Sequence, residues 1–252
     1  MGKAGVALVA FGTAACTSTT TPSTATSPGT TGGETGTTSS PGAATTLPSG
    51  TSSAGDGHQW ERANLGFVSA YIFYRAGEAV VVDTGVAGSE GVIEDALTGV
   101  GLDWASVGHV VVTHHHRDHQ GSLQAVLAAA PEADWYAGAA DIGQMSAARA
   151  GAVVGDGDTV FGLDILETPG HTPGHLSVLD SAGGILVAGD AVNGTAGGMV
   201  GANPQFSDDM GQADDSVRKL AGFDFEVILF GHGEPLTTGG SSAMSALADS
   251  LG

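Results

Sequence analysis

Four strand-like runs in this chain stop at residues able to bind a metal or move a proton. "VVVD" ends at Asp83, "ILVAGD" at Asp190 and "VILFGH" at His232, while "HVVV" runs through Thr113 into "HHHRDHQG" (114–121). That last stretch crowds four of the nine histidines into a few positions. A core has no use for so many polar rings, and a solvated face favours Lys or Glu. Strand ends open onto one rim of a sheet, which is where layered α/β proteins carry their sites. The pattern calls for sheets whose ends gather around shared chemistry.

The remaining patterning supplies such sheets. "GFVSAYIFY" (66–74) and "AVVVDTG" (79–85) read as strands joined by the turn "RAGE", rich in β-branched and aromatic residues. "SEGVIEDALTGVG" (89–101) starts on a capping Ser89 and repeats apolar residues at Val92, Ile93, Ala96, Leu97 and Val100. This predicts a helix with one buried face, stopped by glycine. "HVVVT" predicts a buried strand and "GSLQAVLAAA" a helix ended by Pro131. Further strands fall in "DTVFGLDILET", "HLSVLD", "GGILVAGD" and "FEVILFG", and helices over 208–220 and 241–251. Grouped strands with interspersed helices give an α/β or α+β class with layered sheets.

The first part of the 252-residue chain reads differently. "MGKAGVALVAFGTAAC" has one Lys, a short apolar run and small residues before Cys16, the pattern of a secretory leader too short for an ordinary membrane span. Thr13, Ala14 and Ala15 before Cys16 resemble a lipobox, with Thr13 where Leu is usual. Residues 1–16 are therefore expected to be a signal with Cys16 lipidated, placing the protein at the outer face of the membrane; an ordinary cleaved signal gives a secreted one. Residues 17–57 are nearly all Ser, Thr, Gly, Pro and Ala, which bury too little apolar surface to offset ordering entropy. They are expected to form a hydrated tether, with the folded domain over 58–252. As the only cysteine, Cys16 rules out an intramolecular disulfide and thiolate metal sites.

The formal charge is −20, and before His58 only Lys3, Glu34 and Asp56 are charged, so the domain carries nearly all of it. Such a surface repels nucleic acid and anionic lipid, which argues against a nuclease. The expected partner is a small-molecule substrate of a monomer, with membrane contact only through the lipid.

Within the histidine run, His114 and His116 are two apart, so in an extended segment both rings point one way and His115 points the other. Asp118 and His119 follow at the turn into a helix and can face a neighbouring point. Two imidazoles for one ion, and a carboxylate with an imidazole for another, suit zinc.

At this point the chain resembles the metallo-β-lactamase superfamily. H-x-H-x-D-H stands as His114, His116, Asp118 and His119, followed in order by "TPGHTPGH", "LVAGDA" and "FGHG". The resemblance covers about Leu65 to Pro235 and implies the four-layer αβ/βα sandwich. It further implies that His114, His116 and His171 hold a first zinc and Asp118, His119 and His232 a second, with Asp190 and a hydroxide bridging them. The resemblance implies too that Asp83 hydrogen-bonds the metal loop, and His175 is expected to give secondary support or packing. By the same resemblance Asp118 would orient the nucleophile, which would attack an ester, thioester, lactone or amide carbonyl.

Glu does not replace His116, unlike in the family's diiron flavoproteins, and Asp190 stands where many zinc β-lactamases carry Cys. Asp at that position matches glyoxalase II and the lactonases. The chain ends soon after "FGHGEP", so a minimal glyoxalase II-like hydrolase is expected. Lactonase or β-lactamase activity is an alternative. So is a persulfide dioxygenase with one iron on His114, His171 and Asp190, and so is a non-catalytic metal-binding lipoprotein. "NGTAGGMVGANPQFS" (193–207) has no period and is expected to line or cover the pocket with Met199, Val200 and Phe206. His58, His109 and His115 are expected to serve packing or the surface.

Overall fold

A computed structural model describes residues 57–252. The expected leader and nearly all of the expected tether lie outside the described residues. Strands β1 (Gln59–Asn64), β2 (Ser69–Arg75), β3 (Glu78–Val82), β4 (Val107–Val111), β5 (Asp134–Ala137) and β6 (Ala152–Val153) lie in that order in one sheet. β7 (Thr159–Val160), β8 (Leu163–Glu167), β9 (Leu176–Asp180) and β10 (Ile185–Gly189) belong to a second. After a separate hairpin of β11 (Val192–Thr195) and β12 (Gly198–Gly201), β13 (Val227–Phe230) completes it in the order β13-β10-β9-β8-β7. Helices are α1 (Glu90–Gly99), α2 (Arg117–Gln120), α3 (Leu123–Ala129), α4 (Met210–Leu220) and α5 (Gly240–Ser250). Among the described residues no helix is long and apolar enough to cross a membrane.

The alternation of strand side chains sorts the apolar residues into three layers of core. Val80 and Val82 of β3 join Tyr71, Phe73 and Val111 against Ile165, Val178, Val187 and Leu229 of the second sheet. Val81, on the opposite face, packs with Ile72, Val110, Ile93, Leu97, Leu123 and Val126, which seats α1 and α3 outside the first sheet. Leu179, Leu186 and Ile228 pack with Val217, Leu220 and Met244, which seats α4 and α5 outside the second. The result is the αβ/βα sandwich. "VVV" runs unbroken because β3 is covered on both faces. Truncating Phe73, fully buried between the sheets, to Ala is expected to cost about 3–5 kcal/mol.

Among the bonds that join the sheets at the rim carrying the histidines, two reach the end of β13. Tyr71 donates its hydroxyl to the Phe230 carbonyl at 2.8 Å, and Ser69 N–H donates to the Gly231 carbonyl at 2.9 Å. Burial pushes the Tyr71 phenol up to about 12.

Several expectations change. Ser89 precedes α1 but makes no side-chain cap, because its own backbone is helical (φ −83°, ψ −10°). The aperiodic 193–207 stretch begins as the β11–β12 hairpin, in register from Val192↔Gly201 to Thr195↔Gly198. Its alternation turns Met199 against the outer core of the second sheet, while Val200 is left exposed. Met199 is therefore a packing residue rather than one offered to the pocket.

Candidate metal centre

The loop after β4 is pinned before its ligand-type residues begin. Thr113 donates its backbone N–H to Asp83 Oδ1 at 2.7 Å and its hydroxyl to Oδ2 at 2.8 Å, and its carbonyl accepts from Leu176 N at 2.8 Å. Because that hydroxyl is spent on Asp83, it accepts from His114 Nδ1, 3.1 Å away. The proton of the buried His114 ring is thus held outward and the lone pair of Nε2 points into the rim. His171, on the loop after β8, repeats the arrangement. Its Nδ1 lies 3.0 Å from Ser207 Oγ, which itself donates to the Asn203 carbonyl at 2.7 Å.

The inward nitrogens converge. His114 Nε2 is 3.1 Å and His171 Nε2 3.0 Å from His116 Nδ1. Burial, then the neighbouring rings, hold His114 well below the ordinary imidazole value; burial likewise lowers His116 and takes His171 to about 4. These three rings are neutral donors.

Carboxylates dominate a few ångströms away. His119 Nδ1 lies 2.7 Å from Asp83 Oδ2, and its Nε2 lies 3.4 Å from Asp190 Oδ1. Burial opposes charge on His119, but Asp190 and Asp83 outweigh it and raise the ring to about 9. His232 donates Nδ1–H to the Phe67 carbonyl at 2.7 Å, and its Nε2 lies 3.3 Å from both Asp118 Oδ2 and Asp190 Oδ2. Those two carboxylates raise it to about 10. The hydrogen bond from His232 in turn lowers Asp118. Asp190 sits between the two groups, with Oδ2 also 3.5 Å from His171 Nε2. A Cβ at Gly231 would overlap Asp190 Oδ1, so only glycine lets β13 close on that carboxylate.

The donors fit a pair of cations. His114, His116 and His171 form one set with ligand atoms within 4.8 Å of one another; Asp118, His119 and His232 form another; His114, His119 and Asp190 link them. His119 Nε2 and Asp190 Oδ1 are buried without a hydrogen-bond partner, which is costly unless something else engages them. Ring nitrogens 3.0–3.1 Å apart approach the spacing of corners around a tetrahedral ion with bonds of about 2.0–2.1 Å. The donors are nitrogen and oxygen only, which suits zinc and also iron.

The other predicted residues divide between this rim and positions away from it. His175 faces away from the donor sets: its Nε2 accepts from Asp190 N–H at 2.9 Å, and its Nδ1 lies 2.8 Å from Thr168 Oγ1. Burial takes it to about 3, so it stays neutral. Phe206 is exposed beside Ser207. His58 is a core residue with Nδ1 3.1 Å from Asp180 Oδ2, and His109 Nδ1 lies 3.1 Å from the Tyr136 hydroxyl.

Sequence reading missed three residues. Ser207 sets the His171 ring, and the exposed Phe67 stacks on His232 with ring centroids 5.9 Å apart. Asp141, fully buried, binds the loops on both sides of the centre. A carboxylate soon after the strand-like "DWYA" was the only available signal for it. An open cavity of about 460 Å³ among Ser181, Gly183, Asp224 and Ser241 lies at the opposite rim of the second sheet and contains none of these donors.

Known proteins resemble this chain in sequence and in fold. A probable metallo-hydrolase YflN of Bacillus subtilis is 29% identical over 202 residues, covering 63% of this chain and 76% of that protein. A hydroxyacylglutathione hydrolase of Cupriavidus taiwanensis is 37% identical over 125 residues, 45% of each chain. The chain spans about half the length of such hydroxyacylglutathione hydrolases. Among solved structures, the metallo-β-lactamase SMB-1 aligns with a TM-score of 0.60 at 18% identity, over 77% of this chain and 91% of that one. A metallo-β-lactamase family protein of Thermus thermophilus gives 0.59 at 23%, over 73% of each. The model of the metallo-β-lactamase superfamily matches residues 63–142 and 148–232, most of the described chain, and the protein belongs to that superfamily.

Proposed function

We propose that this protein is a dinuclear zinc hydrolase that cleaves an ester, thioester or lactone bond. The observation that carries the reading is Asp190, whose two oxygens face both donor sets while one of them is buried without a partner. His114, His116 and His171 would hold one ion and Asp118, His119 and His232 the other, with Asp190 shared. Bound there, zinc supplies Lewis acidity, acidifying water and polarising a carbonyl oxygen.

The chain's own groups supply orientation and proton transfer. Asp83, Thr113 and Ser207 fix which nitrogen of His119, His114 and His171 faces the rim. Asp118 is half-buried and ionised, placed to orient a water and to pass its proton to the leaving group. Phe67, Val200 and Phe206 offer exposed apolar surface for a partly apolar substrate. Relatives named hydroxyacylglutathione hydrolase and thioesterase support thioester chemistry.

Metal analysis of the purified protein, alongside turnover of thioesters, lactones and β-lactams, tests this reading. Close to two zinc ions per chain and turnover of at least one class are expected. Stoichiometric iron with negligible zinc, and oxygen uptake with persulfide, overturns it. We also infer export with a lipid on Cys16. Cys16→Ser should then release the protein from membrane fractions and abolish labelling by a fatty-acid probe; an unlabelled wild type leaves a plain secreted enzyme.

A further inference from the structure

The three-imidazole set is divided between two loops. His114 and His116 follow β4 in the first sheet, and His171, 55 positions beyond His116, follows β8 in the second. Ring nitrogens must be held to within a fraction of an ångström to share an ion, so something must fix the distance between the loops. Asp83 does not: its bonds go to Thr113 and His119, both on the first loop.

Asp141 belongs to neither loop. It follows β5 and begins a short 3₁₀ turn over Ile142–Gln144, and its side chain is fully buried. Oδ2 accepts from the His115 backbone N–H at 3.0 Å, between the two ligand-type rings of the first loop. The same oxygen accepts from Thr172 Oγ1 at 2.6 Å, and Oδ1 accepts from Gly174 N–H at 2.7 Å, both on the second loop. His115 Nδ1 lies 3.0 Å from Oδ2 as well. The backbones leave no slack, because a Cβ at Gly174 would sit 2.5 Å from Asp141 N.

The two backbone N–H groups and the Thr172 hydroxyl all donate to this carboxylate. Such bonds are the strong kind and offset the cost of burying the charge. They also explain why an acid is needed: the amide of Asn would set its own N–H₂ against one of these donors.

We propose that Asp141 is a positioning residue for the three-imidazole set, fixing the separation of His116 and His171 by binding both loops that carry them. The proposal rests on the metal-binding reading of that set, and its test separates the two. The full-length protein, stripped with a chelator, is titrated with Co²⁺ and followed by visible absorption and bound-ion counting. The uptake step belonging to the three-imidazole set is identified by its loss in His171→Ala.

Asp141→Asn should weaken that step about 10–100-fold, the range for hydrogen-bond partners of metal ligands, and alter its cobalt spectrum. The step at Asp118, His119 and His232 should be unchanged. Thr172→Val, which removes a single bond near His171 at constant shape, should weaken the same step several-fold. An unaltered first step in Asp141→Asn, or equal weakening of both steps together with a lower melting temperature of the metal-free protein, overturns the proposal. Should Asp141→Asn not fold, Thr172→Val decides: wild-type affinity in that variant overturns it. A wild type that takes up no cobalt overturns the metal reading too.

Discussion

His171 and His232 both point at Asp190 Oδ2, at 3.5 and 3.3 Å, yet the first is held at about 4 and the second at about 10. The difference lies in what stands behind each ring. His171 is one of three imidazoles packed together, two of them buried, with its outer nitrogen on a hydroxyl. His232 is half-open, its outer nitrogen on a carbonyl and its inner one between two carboxylates. The centre therefore has a neutral half, spanning two loops and needing outside hydrogen bonds to hold its shape. Its charged half is balanced by its own acids. Identical side chains take different charge states through their neighbours alone.

The largest test of this division is His171→Ala against His175→Ala, since "TPGHTPGH" gives both histidines the same local sequence. His171→Ala removes a donor of the neutral half and should lower metal content and nearly abolish turnover. His175→Ala removes only the acceptor of Asp190 N–H and should cost about 10–100-fold in activity. Metal analysis and turnover of both variants decide it; loss of metal only in His175→Ala would sink the assignment. On the charged half, Asp83→Asn should cost a similar factor, because an amide cannot accept from Thr113 and His119 together. If zinc affinity is instead unchanged, the charged half does not depend on Asp83.

Ser207→Ala is a gentler probe. It deletes one neutral hydrogen bond to His171, about 1 kcal/mol, and should weaken zinc binding by roughly fivefold. Least affected should be the centre in Asp180→Asn, a remote control. Burial raises the Asp180 carboxyl, but hydrogen bonds from His58 and Gly183 outweigh it and hold it below its ordinary value. A depressed folded value means that its contribution is complete above about pH 4 and is lost as pH falls through the folded value. The variant should melt lower than wild type at neutral pH, with the gap closing in acid and zinc uptake unchanged at neutral pH. A constant gap across that range would show that Asp180 acts through packing.

Much of this was legible because the chain writes its strands and their ends in different letters. β2, β3, β4 and β8 to β10 are runs of apolar and β-branched residues, and the donors sit where those runs stop. β1 was not legible. "QWERAN" is an edge strand with mixed burial, so no alternation survives in its letters. β6 is only two exposed residues, and its pairing with β5 decides its state. Met199 was misread because an aperiodic composition concealed a hairpin whose alternation turns it inward. Asp141 stayed hidden for another reason: two of its partners are backbone N–H groups, which no sequence letter records.

The rim bonds between Ser69, Tyr71 and the β13 end have a consequence for biogenesis. The donors hang from the ends of strands in both sheets, β4 in one and β8, β10 and β13 in the other, so no partial chain holds the full set. Pairings such as β3 with β4 and β10 with β13 join distant positions and form late. An ion that binds only the finished molecule cannot guide its folding. It acts afterwards by mass action, adding about 2.7 kcal/mol when present at a hundred times its dissociation constant. On the proposed zinc reading, the zinc of its surroundings would set how long each completed copy survives proteolysis, rather than how many copies are made.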